Sequence, residues 1–177
     1  MLMKIAIAVV VLIGGFLAYV AAKPSDSEVS REVTIKASAE KIFPYVNTRS
    51  LANSWNPWLR MDKDAKISFA GPDVGVGAQT SWDAGKQLGT GKATVTESVP
   101  NERVTIKLEY VKPFEMTQDA TYLLKPNGDQ TTVVWKVTGK QSFFGKLMCT
   151  FMDMDKVVGD VFAQGLGELK VMVEAAK

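Results

Sequence analysis

The sequence predicts an α+β domain in which a curved antiparallel sheet of about seven strands wraps one long C-terminal helix. Two short helices follow the first strand, and an apolar helix precedes the whole. Three observations carry the prediction. Ile5 to Ala22 is an unbroken run without a charge, and the segments from Lys66 to Gly139 read as short strands separated by turn residues. From about Asp155 to Glu174 the apolar period then changes from two residues to that of a helix.

The apolar run has 18 residues behind Lys4 and stops at Lys23-Pro24. As a helix it rises roughly 27 Å, close to the hydrocarbon thickness of a bilayer. Residues 1–23 therefore read as an N-terminal transmembrane anchor or uncleaved signal. The run is longer than the apolar core of a cleaved leader, although Val20-Ala21-Ala22 offers small residues for cleavage. Residues 24–30 are polar and read as a tether, and 31–177 as one domain of a size that closes its own core. The expected location is a single-pass membrane protein with the domain on the outer side, or a secreted one if the leader is removed.

Charge and composition exclude whole classes of chemistry. Residues 24–177 carry 19 basic and 19 acidic side chains, so the basic excess of a nucleic-acid binder is missing. The chain has no histidine and one cysteine, Cys149. That removes histidine-based nucleophile activation, imidazole-bound zinc, thiolate metal clusters and an intramolecular disulfide. No metal and no cofactor is expected.

Arg31 to Lys36 alternates, with Val33 and Ile35 on one face, and forms the first expected strand. Ser38 suits a helix N-cap ahead of Ile42, Phe43 and Val46, with Pro44 expected to kink or shorten that helix. A second short helix is expected from near Ser50 to before Asn56-Pro57. Six strands come next: Lys66 to Phe69, Ala78 to Trp82, Gly89 to Val99, Arg103 to Val111, Met116 to Lys125 and Thr131 to Gly139. Turn chemistry at Gly71-Pro72-Asp73, Asp83-Ala84-Gly85, Pro100-Asn101 and Asn127-Gly128 separates them, and such short connections favour antiparallel neighbours. The final helix carries Val158, Val161, Phe162, Gly165, Leu169, Met172 and Val173 on one side. A helix cylinder cannot fill a concave sheet along its whole length, so a cavity is expected between them, as in a helix-grip fold.

On this order, and on Val33–Phe43, Trp55-Asn56-Pro57-Trp58, Thr96–Pro100, Gly145–Leu147 and Phe151–Lys156, the chain resembles the SRPBCC superfamily. That superfamily includes START lipid-transfer domains, birch-pollen-allergen-like proteins and polyketide cyclase/dehydrase-like proteins. The similarity is to its membrane-anchored bacterial members, which implies an inner-membrane protein with the domain on the periplasmic side. It fixes no reaction, because one scaffold serves carriers, cyclases and sensors.

Trp55, Trp58, Trp82, Tyr110, Phe114, Met116, Trp135, Phe144, Met148, Met152 and Phe162 supply an aromatic and methionine-rich surface. Each one singly reads as core; as a set they suit the lining of a pocket for an apolar guest. Trp55 and Trp58 read either as the pocket mouth or as a pair sealing the end of the sheet. Phe114 sits at a hairpin tip that the resemblance makes a gate. Phe143–Met148 reads as a gate, a segment dipping into the bilayer, or an apolar loop packed on the last helix. Catalytic residues are not expected; Glu97, placed by alternation on the face of Ala93 and Val95, and Tyr110 are the weak candidates.

The expected function is thus a membrane-tethered module that binds or carries a hydrophobic small molecule of lipid, isoprenoid or polyketide type. A cyclase or dehydratase on an apolar substrate is the enzymatic alternative. A protein-interaction module with a vestigial cavity is the third.

Overall fold

A computed structural model describes residues 2–84, 89–113 and 115–176. An N-terminal helix α1 (Leu2–Ala22) leads into β1 (Asp26–Ile35), two short helices α2 (Ala39–Asn47) and α3 (Arg49–Trp55), and a 3-10 turn at Pro57–Arg60. Strands β2 (Lys66–Ala70), β3 (Gln79–Asp83), β4 (Thr90–Val99), β5 (Arg103–Lys112), β6 (Met116–Asn127) and β7 (Gln130–Lys140) come next. Two helices, α4 (Phe143–Phe151) and α5 (Met154–Ala175), complete the chain. The seven strands form one sheet in the order β1-β7-β6-β5-β4-β3-β2, every neighbour antiparallel. Only β1 lies out of chain order, added beside the last strand.

Helix α5 is held along β1 and buries Phe162, Gly165, Leu166, Leu169 and Val173. Asp153 caps it, its side chain accepting from the Lys156 amide at 3.0 Å. Three contacts pin it to β1 and to Lys36 just after it. Arg31 donates to the Asp155 carboxylate at 2.9 Å, Lys170 Nζ to the Thr34 carbonyl at 2.7 Å, and the Lys36 amide to Glu174 at 2.7 Å. The α+β helix-grip arrangement expected from the element order is the one observed.

Two local readings need correction. Asp26 to Ser30, expected within a tether, is the first half of β1 and pairs with Lys140 to Lys136 of β7. Its Ser-rich polarity reads as a linker, but an open edge of β7 provides the ladder that this short segment cannot show by itself. Only Lys23 to Ser25 then separates α1 from the sheet, which at full extension spans about 10 Å.

The Phe143–Met148 segment is not a loop: it opens α4, which Ser142 caps by accepting from the Gly145 amide at 3.2 Å. A nine-residue helix is marginal alone, and α4 rests on α1, a contact outside the reach of local pattern. Ser38 stands at the N-cap of α2 as expected but makes no side-chain capping bond. Pro44 lies within α2, which ends three residues later.

Candidate functional site

The inward face of the sheet is laid out in rows across the strands. The deepest row joins Trp135, Tyr122 and Val104, which are 3, 2 and 0 % exposed. Helix α3 drives Trp55 into this row, where its ring meets those of Tyr122 and Trp135 edge-on at 5.7 Å. Phe162 of α5 stacks on Trp135 at 4.2 Å. These four aromatics fill the space between helices and sheet at that end.

Toward the opposite end the side chains shrink. The next row runs Val137, Ala120, Ile106, Val95 and Ala78, and the one after it Gly139, Gln118, Leu108, Ala93 and Thr80, so small residues there alternate with aliphatic ones. Aromatic groups return at the rim, where Trp82 and Tyr110 face each other across Gly91 with ring centroids 5.5 Å apart. Exposure rises along β6 from Tyr122 through Ala120 at 4 % to Met116 at 39 %. The inward face between the two aromatic walls therefore mixes Ala78, Thr80, Ala93 and Ala120 with Val95, Ile106 and Leu108. Its small residues are 0 to 9 % exposed, so neighbouring side chains already cover them. The cavity expected there is corrected to a face that becomes accessible only toward Met116.

The predicted residues separate into three groups. Trp55, Trp135 and Phe162 form one wall, Trp82 and Tyr110 the other with Met116 on its rim, and Trp58 is half-buried against the core. Phe144, Met148 and Met152 lie apart from this face, on α4 and its C-cap, and are 48, 38 and 44 % exposed. Phe114 falls outside the described residues. Trp55 corrects the idea of a mouth: it is fully buried, and its indole N–H donates to the Tyr45 carbonyl at 2.9 Å. A search for large apolar residues passes over Thr80, Ala93, Ala120 and Gln118, although strand alternation alone places them on the inward face.

Glu97 does not face inward. A register shift between Val95 and Glu97 inserts Thr96 as a bulge and reverses the parity of the rest of β4, so Ser98 turns in beside Val104 and Glu97 turns out beside Thr105. There the Arg103 guanidinium binds it at 2.8 and 2.9 Å, and the Thr105 hydroxyl adds a bond at 3.0 Å. These bonds hold its carboxyl down to about 2. A carboxylate so fixed is a poor general acid at neutral pH.

The depressed value sets the sign of its pH effect. Whatever Glu97 adds to stability is present above its unfolded value, near 4.5, and is lost as pH falls toward about 2. Glu97→Gln is therefore expected to leave the fold unchanged at neutral pH, and to weaken the dependence of stability on pH over that window. Acid titration followed by circular dichroism checks this, and an acid transition identical to that of the wild type would contradict it.

Buried polar groups mark the interior. Burial pulls the Arg49 guanidinium down and pushes the Tyr110 and Tyr122 phenols up, so both phenols remain neutral hydroxyls. Arg49 donates through Nη2 to the Val46 carbonyl, while Arg49 Nε, Asn53 Oδ1 and Trp135 Nε1 are buried without a hydrogen-bond partner among the described residues. No group of three or more Cys, Asp or Glu side chains that could hold a metal ion occurs among those residues. Two open grooves mark the outer surface. One of about 440 Å³ lies along Gln164, Glu168 and Val171 of α5, the other of about 580 Å³ between Asp26–Val29, α4 and the start of α5. Neither is lined by Trp82, Tyr110, Trp135 or Phe162.

Solved structures share this architecture. Norcoclaurine synthase from Thalictrum flavum, in complex with dopamine and hydroxybenzaldehyde, matches with a TM-score of 0.63 at 16% identity, covering 86% of this chain and 89% of that one. The Aha1 dimer from Colwellia psychrerythraea matches at 0.59 and 21% identity, covering 85% and 98%. Protein MLL2253 from Mesorhizobium loti matches at 0.60 and 15%, covering 85% and 99%. At such identities the likeness is one of fold. No curated protein matches the chain by sequence. A family model for polyketide cyclase / dehydrase and lipid transport matches residues 26–174, the whole domain from the first residue of β1 to the last turn of α5. The chain belongs to that polyketide cyclase/dehydrase and lipid transport family, of SRPBCC type.

Proposed function

We propose that the chain is a membrane-tethered module that binds a hydrophobic small molecule on the concave face between the Trp82–Tyr110 and Trp135–Phe162 walls. The observation that carries the reading is the fall in side-chain size and rise in exposure along β6, from the packed Trp55–Tyr122–Trp135–Phe162 cluster to the row of Gly139, Gln118, Leu108 and Ala93 under the Trp82–Tyr110 rim. Apolar walls with a few polar groups suit an oily guest whose orientation is set by hydrogen bonds. Tyr110 and Gln118 supply such groups at the open end, and Trp135 Nε1 offers a donor at the closed end. Family membership supports the same class of ligand, and norcoclaurine synthase shows that this scaffold holds small aromatic molecules. The outward turn of Glu97 favours binding over proton-transfer catalysis. Helix α1, a 20-residue apolar stretch over Met3–Ala22 with 6% of its most apolar window buried, supports the tether.

The test fills that row. Gln118→Trp adds bulk at the half-buried position where the reading requires space, so the full-length variant is expected to fold with little loss of stability and to lose the guest. Native mass spectrometry of detergent-extracted protein reads the guest directly. If Gln118 is already covered by close-packed side chains, the substitution instead destabilises by about 1–3 kcal/mol. That result, or repeated recovery of empty wild-type protein, overturns the proposal.

A further inference from the structure

Helix α4 holds one charge, Lys146, in a run otherwise of Phe, Gly, Leu, Met, Cys and Thr. That lysine is buried, 8 % exposed, and its Nζ donates to the Ala21 carbonyl of α1 at 3.1 Å, its one hydrogen bond among the described residues. A buried ammonium without an acceptor is costly, so the lysine and the helix it reaches belong to one folded unit.

The end of α1 needs that donor. The last four carbonyls of a helix have no partner within it, and a cation placed there also meets the negative end of the helix dipole. α1 has no basic residue in its own last turn; α4 supplies one from 125 positions along the chain. The contact is reciprocal. Lys23, just past α1, donates to the Thr150 hydroxyl at 2.9 Å, and that hydroxyl donates in turn to the Lys146 carbonyl at 2.9 Å. Lys23 also lies over the Tyr19 ring of α1, 5.2 Å from its centroid. Apolar packing completes the joint: Val20 is fully buried, alone in α1 among the described side chains, and the Phe16 ring meets that of Phe151 at 5.9 Å.

Cleavage after Ala22, behind the small residues Val20-Ala21-Ala22, would undo every one of these contacts. It removes the Ala21 acceptor together with Val20 and Phe16, and it makes Lys23 a chain start whose α-amino cation stands two residues on from the lost carbonyl. An attraction on Lys146 becomes a repulsion, and a buried charge is left unpaired. We infer that α1 is retained as a docked part of the folded protein, its C-terminal turn capped by Lys146 of α4, and that Val20-Ala21-Ala22 is not a processing site. The inference rests on reading α1 as a membrane tether, and it turns that tether into a fixed arm. Only Lys23 to Ser25 lies between α1 and β1, so with α1 docked the domain keeps one height and tilt over the leaflet and does not swing as on a free linker.

The experiment uses the full-length chain, expressed with its own N-terminus and kept in membranes until it is read. Intact mass spectrometry is expected to return the complete chain. A product that begins at Lys23 overturns the inference and the tether together, while guest binding is read separately by native mass spectrometry. Docking is read by a short bis-maleimide on Phe16→Cys with Phe151→Cys in a Cys149→Ser background, which is expected to give a cross-linked monomer. Ile5→Cys with Phe151→Cys, about 16 Å further along α1, is expected to give none. Lys146→Glu sets a carboxylate against the Ala21 carbonyl and is expected to slow cross-linking at least about tenfold, the worth of one charged hydrogen bond, while Lys146→Arg preserves it. A complete chain in the membrane without the Phe16–Phe151 cross-link overturns the docking and leaves the tether standing. Cross-linking that is unchanged in Lys146→Glu, or lost equally in Lys146→Arg, overturns the lysine cap. Cross-links between chains mean that α1 docks on a second copy, and they also overturn the inference.

Discussion

Trp55→Ala is expected to lower the stability of the domain by about 3–5 kcal/mol, the range for a large aromatic removed from a packed interior. Trp55 is fully buried, and its ring touches two other aromatics, Tyr122 and Trp135, each at 5.7 Å between centroids. Truncation leaves a cavity bounded by a third ring as well, since Phe162 is stacked on Trp135 and cannot tilt without losing that contact. It also strips the Tyr45 carbonyl of the indole donor at 2.9 Å, which adds the desolvation penalty of a buried acceptor. Trp58→Ala, three residues on, is expected to cost much less, because Trp58 is only half-buried. Urea titration of the full-length protein in detergent, followed by far-ultraviolet circular dichroism, separates the two. A loss below about 1.5 kcal/mol for Trp55→Ala would mean that the helices collapse into the gap, and that the wall is softer than its stacking indicates.

That contrast shows how far the sequence could be read. Period-two alternation in Val104, Ile106, Leu108 and Tyr110 places β5 correctly because one face packs on the core, fully at Val104 and Ile106 and partly at Leu108 and Tyr110, and the helical period after Asp155 places α5 for the same reason. Pattern fails where a single event changes parity or where the partner is remote. The bulge at Thr96 sends Glu97 outward although every residue before it obeys the rule. Asp26 to Ser30 becomes a strand only because β7 extends to Lys140, and α4 becomes a helix beside α1, more than 120 residues away in the chain by the Lys146–Ala21 bond. Trp55 and Trp58 share one motif, and nothing local tells which is core; the 3-10 turn that begins at Pro57 rotates the second away from the first. The small inward residues were visible in the alternation, yet their meaning depends on registers across several strands.

Gly91→Val is expected to be the most damaging change at the open end of the concave face, with a loss of about 3 kcal/mol or more and a displaced Trp82 ring. Gly91 stands between Trp82 and Tyr110 in the cross-strand row, and the two rings meet above it because it presents no side chain. A Cβ there would stand 2.7 Å from the Glu109 backbone oxygen and in hard contact with the Trp82 ring. The ring can rotate away, but the carbonyl belongs to β5 and yields only if the β4–β5 ladder opens. A branched side chain gains up to about 1 kcal/mol of strand preference, too little to offset that collision. Gly139→Ala makes the comparison on the same face. Its Cβ would meet Gln118 Cγ at 2.7 Å, which a side-chain rotation relieves, and a backbone oxygen only at 3.3 Å, so its expected cost is smaller than that of Gly91→Val. Denaturant midpoints for both variants, with tryptophan emission as the report on Trp82, test the pair together. Equal and small losses would show that β5 shifts freely at this end, and a rim that mobile could not hold Trp82 and Tyr110 as a fixed wall for a guest.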